Sequence, residues 1–291
     1  MPSPAPLPGP VAVIGASGRS GQVLCRALLQ AGAQVVPVVR DVARWRDAAI
    51  HGAEAPRLAD LRDGEALRRA LDGVGAVASC AHARFAEAII AATAEEVRLV
   101  LLGSTRRFSR WADRHGDGVR AGEAALMRSG RHGVMLHPTM IYGAQGEDNV
   151  QRLAALMRRL PVAPLPGGGR SLVQPIHQDD VVRAVIAALG LDWEQPRALV
   201  VAGPEPLPYR DFLGAVCRAA GVRVPPVVPL PLWPLILAAP LTRLLPRVPV
   251  VRAAELRRLT EDKAFDVAPM RAVLGVEPRP LVQGLRQTFA A

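Results

Sequence analysis

The sequence is poor in cysteine and in aromatic residues, and each shortage excludes a class of protein. The three cysteines, Cys25, Cys80 and Cys217, have no paired spacing, which argues against a disulfide framework and against a thiolate metal site. A reducing, cytoplasmic location is expected. Aromatic residues make up only 4% of the chain, too few to alternate with arginines as a nucleic-acid stacking platform requires.

The positive charge comes almost entirely from arginine. The formal net charge is +10, yet Lys263 is the only lysine. The arginines are dispersed, and apart from Arg106, Arg107 and Arg110 no dense basic run occurs. This dispersal predicts no nucleic-acid partner, whereas a dinucleotide with several phosphates stays compatible with the charge.

The chain also lacks an uninterrupted apolar run long enough to span a membrane. The longest uncharged apolar stretch, 224–242, contains six prolines, which would break a spanning helix repeatedly. Five prolines among residues 1–10 exclude a helical export signal there and predict a short disordered tail.

The segment after this tail shows a strand, a turn and a helix. An apolar run from Val11 ends at Gly15, apolar residues then recur at helical spacing over 18–30, and a valine-rich run covers 34–39. This order predicts a βαβ unit.

The same alternation continues and then changes near Pro204. Near-continuous apolar runs separated by helical stretches predict an α/β Rossmann fold, a doubly wound parallel sheet with helices on both faces. After Pro204, proline-punctuated helices predict a small, mostly helical C-terminal substrate subdomain. We therefore divide the chain into three parts. Residues 1–10 are the tail, residues 11–203 are a dinucleotide-binding domain with substrate-side insertions at about 143–176, and residues 204–291 are the subdomain. Strands are expected at 75–80, 97–103, 133–137 and 198–202, and helices at 63–71, 85–94, 119–127, 179–189, 209–220, 232–245, 252–259 and 268–274.

A glycine-rich turn, GASGRSG, joins the first strand to the first helix. Gly15 would permit a tight turn, Gly18 would let the backbone approach a pyrophosphate, and Gly21 would let helix and strand pack closely. The helix N-terminus supplies free N–H groups and partial positive charge for phosphates. Three such glycines alone are weak evidence, but between a strand and a helix they indicate a dinucleotide site.

The chain resembles the short-chain dehydrogenase/reductase superfamily, in particular its atypical and extended members, such as nucleotide-sugar epimerases and NmrA-like proteins. The resemblance covers most of the chain and depends on the order of several loose motifs. They are GASGRSG, LAD ending at Asp60, ASCAH ending at His82, LHPTMIYG from Leu136, QPIHQDDVVRAVIAAL from Gln174, VAGPEPLPYRDFL from Val201 and LGVEPRPLVQGL from Leu274.

The resemblance implies cofactor contacts outside the glycines. Asp60 would contact the adenine, with a helix cap as the alternative. Ser79, Cys80 and Ala81 would pass under the nicotinamide ribose. The remaining residues that the resemblance assigns to the cofactor are Ser17 and Pro138.

Two arginines favour NADP(H) over NAD(H), which stays an alternative cofactor. Arg40 follows the second strand, where an NAD-selective site usually carries an acidic residue for the ribose 2′-hydroxyl. A guanidinium there suits a 2′-phosphate, and Arg19 in the glycine turn would stack on the adenine or pair with the same phosphate. Either arginine has a simpler interpretation as a solvated side chain.

The Tyr and Lys dyad of active superfamily members is absent. The only tyrosines are Tyr142 and Tyr209, and Lys263 lies far from both in the sequence. The region where the dyad would be expected lies upstream of a matching Glu123. It contains His115, or Val119 and Arg120, instead.

Three residues are candidates for the missing acid. His115 titrates near neutral pH, although an exposed loop histidine is the alternative. Ser104 and Thr105 match the family's hydroxyl position near the substrate carbonyl, with turn or helix caps as the alternative. We predict no metal site, because His82, His137 and His177 lack ligand spacing.

Three functions compete at this stage. The first is an NADPH-dependent reductase of a small carbonyl or enone. The second is a dinucleotide-binding sensor or accessory subunit without turnover, in which residues 224–245 would contact a protein or a membrane surface. A buried lid helix over the substrate pocket is the alternative for that stretch. Nucleotide-sugar epimerisation or dehydration ranks third, because the tyrosine is missing.

Overall fold

A computed structural model describes most of the chain. The described residues are 7, 9–111, 113–144, 148–238 and 257–290. Within this part, every strand of the central sheet and every helix around it can be followed.

The strands include seven that form one parallel sheet and several short pairs. In chain order they are β1 Val11–Ile14, β2 Val35–Val39, β3 Arg57–Leu58, β4 Ala76–Ser79, β5 Arg98–Leu102, β6 Gly133–Pro138, β7 Ile141–Tyr142, β8 Ala163–Pro166, β9 Leu172–Val173, β10 Ile176–His177, β11 Arg197–Val201, β12 Leu207–Pro208 and β13 Val227–Leu230.

The central sheet has the order β11-β6-β5-β4-β1-β2-β3, and all of its neighbouring strands run parallel. Ile14 is in register with Val38 on β2 and with Ser79 on β4. The chain order reverses between β1 and β4, and a crevice at the carboxyl ends of the strands is expected at such a switch point. The predicted Rossmann-type α/β fold is confirmed.

Helices cover both faces of this sheet, as the continuous apolar strands predict. Alternate β1 residues serve the two faces: Val11 and Val13 join one apolar cluster, while Ala12 and Ile14 join the other. The helices are α1 Arg19–Gln30, α2 Val42–Asp47, α3 Gly64–Ala70, α4 Ala86–Ala92, α5 Arg114–Ser129, α6 Asn149–Met157, α7 Gln178–Gly190, α8 Tyr209–Ala219, α9 Leu232–Ala238, α10 Ala268–Leu274 and α11 Leu281–Ala290.

A third apolar cluster lies outside the sheet. It joins Tyr142 and residues of α6 to Phe212 of α8 and Leu285 of α11. The insertion at 143–176 thus packs with the segment after Pro204. In contrast, Met270 of α10 belongs to a core cluster of the sheet, so the division at residue 203 does not coincide with the packing.

Several local differences from the sequence expectations have simple causes. Helix α5 begins at Arg114 rather than Val119, because Asp113 accepts a hydrogen bond from the Gly116 N–H at 2.7 Å and caps it. The sequence did not predict α2, α6 and α11, each of which is short and amphipathic. Most of the expected helix at 252–259 and the part of 232–245 after 238 lie outside the described residues.

The predicted tail is also mostly outside the described residues. Its last residues touch the fold: the Pro10 carbonyl accepts a hydrogen bond from the Gly75 N–H at 2.9 Å, and Leu7 packs against the core. Among the described residues, no helix is long and apolar enough to cross a membrane.

Replacing Gly21 by Ala tests the close approach of α1 to the glycine turn. A Cβ at Gly21 would lie 2.2 Å from the Gly15 carbonyl oxygen, so α1 must move away. We expect Gly21→Ala to lower the free energy of unfolding by about 1–3 kcal/mol, measured by urea denaturation.

Gly64→Ala is the matched control, because a Cβ there meets nothing within 4 Å at the start of α3. It should leave stability unchanged or raise it. Equal stability of both variants would contradict the packing role of Gly21.

Candidate functional site

The glycine turn leaves the N-terminus of α1 open. Gly15 has a φ of 77°, a left-handed conformation that favours glycine. Gly18 occupies the N-cap position of α1, and no side chain caps the helix. The first N–H groups of α1 therefore keep their partial positive charge for an external acceptor, as at phosphate-binding helix ends.

A cavity of about 270 Å³ lies against this turn at the carboxyl ends of β1, β2 and β4. Its position matches the crevice expected at the switch point of the sheet. We call it the cofactor cavity. It is lined by Ile14, Gly15, Ser17, Gly18, Val38, Val39, Arg40, Arg44, Ala59, Asp60, Leu61, Arg62, Cys80, Ala81, Arg84 and Phe85.

Arginines surround one side of the cofactor cavity. Arg40 lines it together with Arg44, Arg62 and Arg84. Of these four arginines, sequence reasoning selected Arg40 alone, although Arg44 lies only four residues later, in α2. The neighbouring carboxylate of Asp41 does not line the cavity, because it accepts hydrogen bonds from the N–H groups of Ala43 and Arg44 and caps α2.

Asp60 lines the cofactor cavity and accepts the Arg62 N–H at 2.9 Å. The alternative role of Asp60, as the cap of the following helix, is wrong, because Asp63 caps α3. Cys80 also lines the cavity, and burial raises its pKa to about 12. The Cys80 thiol is therefore neutral and serves as a packing group rather than a nucleophile.

Four residues assigned to the cofactor do not line this cavity. Arg19 forms an ion pair with Asp148 at 3.5 Å, and its contact with the adenine or the 2′-phosphate stays a prediction. The Ser79 hydroxyl is buried and accepts the Ala81 N–H at 3.3 Å. Gly21 is a packing glycine, and the Pro138 carbonyl accepts the Thr105 hydroxyl at 3.3 Å.

A second, larger cavity of about 770 Å³ contains the predicted hydroxyls Ser104 and Thr105. We call it the substrate cleft. Residues after β5 and β6 form one wall, and residues 258–265 form the other. Its lining residues are Ser104, Thr105, Arg106, Phe108, Ser109, Arg110, Thr139, Met140, Arg258, Leu259, Thr260, Glu261, Asp262, Lys263 and Phe265.

A buried network holds Ser104 in place. The Ser104 N–H donates to Nδ1 of His137 at 3.1 Å, so the proton of the neutral ring lies on Nε2. That nitrogen lies 2.7 Å from Glu123 Oε2, which is also 2.7 Å from Nε of Arg107. His137 is 1% exposed. Sequence reasoning excluded His137 as a metal ligand but did not connect it to Ser104.

His115 is paired with a second histidine. Its Nδ1 lies 3.1 Å from Nε2 of His82, and the His82 Nδ1 accepts the Arg84 N–H. Hence His82 donates to His115, and Nε2 of His115 carries the ring proton. Burial lowers the pKa of both histidines. The neighbouring His115 lowers the pKa of His82 further, and Arg106 lowers the pKa of His115 further.

The core contains both Val119, which stands in the region where the dyad would lie, and Tyr142. Val119 of α5 is 1% exposed and packs beneath the sheet, so it leaves no charged group in the position of the lysine. Tyr142 is also 1% exposed, and its ring packs edge-on against His177. Burial raises the pKa of Tyr142. Neither tyrosine lines the cofactor cavity or the substrate cleft.

The stretch 224–245 is described only as far as 238. In α9, Trp233 is 66% exposed and Leu237 is 69% exposed, and neither lines the substrate cleft. Within the residues that the structure describes, no group of three or more His, Cys, Asp or Glu side chains is arranged to hold a metal ion.

Fold and site together define a dinucleotide-binding α/β protein. Residues 15–146 match a family model described as NAD(P)H-binding, so the chain carries an NAD(P)H-binding Rossmann domain. Uncharacterized proteins of Mycobacterium tuberculosis and Mycobacterium bovis are 30% identical over 271 residues, which is 92% of this chain. The chain spans only 28% of the length of these relatives.

Solved structures agree on the fold. The UDP-glucuronic acid 4-epimerase of Bacillus cereus, solved with UDP-glucuronic acid and NAD, superposes with a TM-score of 0.72 at 16% identity, covering 97% of this chain and 98% of that one. The UDP-glucose 4-epimerase of Thermotoga maritima, solved with UDP-glucose, gives 0.72 at 15% identity and 97% of both chains. These superpositions confirm the predicted fold.

The histidine pair predicts that stability falls in weak acid. The folded protein keeps His82 and His115 neutral below the ordinary histidine pKa of about 6.5, whereas the unfolded chain binds protons there. The unfolding free energy therefore decreases as pH falls below that value. We expect His82→Asn combined with His115→Asn to reduce this decline, measured by thermal unfolding between about pH 5 and 8.

His51→Asn is the control, because His51 is an exposed residue outside the pair. It should follow the wild-type curve. A double variant that loses stability in acid as steeply as the wild type would show that the pair does not resist protonation.

Proposed function

We propose that this protein is an NADP(H)-dependent oxidoreductase acting on a carbonyl or enone. The observation that carries the proposal is the arrangement of two cavities at the carboxyl edge of one sheet. The cofactor cavity borders an uncapped helix N-terminus, and the substrate cleft contains hydroxyl donors after β5. The nicotinamide would supply or accept the hydride.

The cofactor cavity suits a dinucleotide with an additional phosphate. The open end of α1 would bind the pyrophosphate. Arg40 and Arg44 lie on the side reached by β2, where the adenosine ribose is bound in this fold, and a guanidinium pairs with phosphate in a forked geometry. Asp41 caps α2 through Oδ1 and does not line the cavity, so the side chains of this turn that line it are Arg40 and Arg44.

Ser104 is better placed than Thr105 to polarise a substrate carbonyl. The Ser104 oxygen accepts the Arg106 N–H at 3.2 Å, which leaves its own proton available for donation. The Thr105 hydroxyl already donates to the Pro138 carbonyl. A hydroxyl has one proton to donate, so Ser104 takes the role of donor and Thr105 shapes the turn.

His115 is the proton source in this proposal. Its Nε2–H is exposed, and it lies in the first turn of α5 beside Asp113, whose carboxylate pairs with Arg106 of the substrate cleft. A neutral imidazole is too weak an acid to give up its proton near neutral pH, so His115 acts only after the hydrogen-bonded pair has taken up a proton from water. Transfer of that proton to the substrate oxygen returns the pair to its neutral state.

A second function, dinucleotide binding without turnover, is favoured by the loss of the dyad. Val119 and the buried Tyr142 leave no counterpart of the lysine and tyrosine. In that case the protein is a sensor or an accessory subunit, and Trp233 and Leu237 are candidates for partner or membrane contact. Epimerisation ranks third for the same reason. A cytoplasmic location is part of the proposal, since Cys25, Cys80 and Cys217 are free thiols.

The NADP preference is tested by Arg40→Ala and Arg44→Ala. Each removes a charged hydrogen bond to the 2′-phosphate, which contributes about 1.5–3 kcal/mol. We expect NADPH affinity to fall roughly 10- to 100-fold per variant while NADH affinity changes little, measured by fluorescence titration.

Arg46→Ala is the matched control, because Arg46 lies in the same helix and does not line the cofactor cavity. Its ratio of NADPH to NADH affinity should equal that of the wild type. If Arg40→Ala and Arg44→Ala also keep that ratio, the NADP preference is wrong.

Turnover is tested by following NADPH absorbance with a panel of carbonyl and enone compounds. For a substrate that is reduced, Ser104→Ala should lower kcat about 10²-fold, the typical effect of removing one oxyanion donor. Ser104→Thr should retain part of the rate. Wild-type rates in Ser104→Ala would exclude this role, and tight NADPH binding without consumption across the panel would favour the non-catalytic function.

A further inference from the structure

The substrate cleft has a fixed wall that carries the only lysine of the chain. The Lys263 N–H donates to the Leu172 carbonyl, and the Leu172 N–H donates to Oδ1 of Asp262, both at 2.9 Å. The Phe265 N–H donates to the side chain of buried Gln174 at 2.7 Å. These bonds hold residues 262–265 against β9, so the position of Lys263 in the cleft is determined by the fold.

Two arginines of the cleft share a single carboxylate. Oδ2 of Asp113 lies 2.8 Å from Arg106 Nη2 and 2.6 Å from Arg258 Nη1. Arg258 is only 8% exposed. Two guanidinium groups therefore share one negative charge, and one of these groups is nearly removed from water.

Lys263 adds a third cation to this wall. Its ammonium group donates to the Arg258 carbonyl at 3.3 Å, and among the described residues no carboxylate oxygen lies within the 4.0 Å of an ion pair. Burial lowers the pKa of Lys263, Arg258 and Arg106 lower it further, and Glu261 opposes them. Within the described part of the chain, the ammonium form thus has no close counter-ion.

The neighbouring carboxylates have other partners. Glu261 accepts the Ser109 hydroxyl at 2.7 Å and the Arg110 N–H at 2.8 Å, and Asp262 accepts the Leu172 N–H. The cleft and its contacts hold four cations, Arg106, Arg110, Arg258 and Lys263, against Glu261, Asp262 and Asp113. The formal charges of these described residues sum to +1.

We propose that the substrate of this cleft is a carbonyl compound that carries one carboxylate, and that Lys263 is the counter-ion of that carboxylate. Buried cations are stable when an anion pairs with them, and a single uncompensated charge matches a monocarboxylate. Ser104 lines the same cleft and would face the carbonyl. The assignment of the carbonyl depends on the proposed function, whereas the carboxylate site does not.

The carboxylate site can be tested without turnover because the chain has one lysine. Reductive methylation with ¹³C-formaldehyde labels Lys263 and the N-terminal amine, keeps both charges, and gives two resonances that Lys263→Arg distinguishes. With NADP⁺ present, benzoate should shift the Lys263 resonance saturably and raise the pKa of that amine, because an adjacent anion favours the charged form. Benzamide, its neutral analogue, should do neither.

Two results of this titration would overturn the proposal. One is an equal response to benzoate and benzamide, or no response to either. The other is a response to UDP in the absence of a response to benzoate, which would assign the cleft to a diphosphate instead.

Kinetics then separates the carboxylate site from the reductase activity. We compare 4-carboxybenzaldehyde with its methyl ester in the wild type, in Lys263→Met and in Arg128→Met, which removes an exposed cation of α5. The wild type and Arg128→Met should prefer the carboxylate, and Lys263→Met should reduce that preference about tenfold or more.

An unchanged preference in Lys263→Met would contradict the role of Lys263. If neither aldehyde is reduced while benzoate still shifts the Lys263 resonance, the carboxylate site stands and the reductase proposal fails.

Discussion

The open N-terminus of α1 is the constraint on which the rest of the site depends. Gly15 turns the chain in a left-handed conformation, and Gly21 lets α1 approach the Gly15 carbonyl so closely that no Cβ fits between them. Because Gly18 brings no capping side chain, the first N–H groups of α1 point to the crevice at the switch point of the sheet. A dinucleotide pyrophosphate has the charge to satisfy them.

The parallel sheet places chemistry from distant parts of the chain along one edge. The ends of β1, β2 and β4 form the cofactor cavity, while the ends of β5 and β6 lead into the substrate cleft. Behind the cleft, the His137 and Glu123 network fixes the backbone of Ser104. In the proposed function, such a network would support the site by positioning rather than by acid strength.

Features set by neighbouring residues could be predicted from the sequence, and features set by distant pairing could not. The βαβ unit and the glycine turn depend on contacts within a few residues, and both were found. The His82 and His115 pair depends on α5 packing against the turn after β4, and Lys263 reaches the substrate cleft only because its segment is bonded to β9. The ion pair of Arg19 could not be predicted for the same reason, since its partner Asp148 is remote in sequence.

A crystal structure of the protein soaked with NADP⁺ tests the central claim most directly. The account predicts that the pyrophosphate oxygens accept hydrogen bonds from the main-chain N–H groups at the start of α1, with the adenosine phosphate between Arg40 and Arg44. A pyrophosphate bound away from the glycine turn, or a complex that does not form at saturating NADP⁺ or NAD⁺, would contradict it.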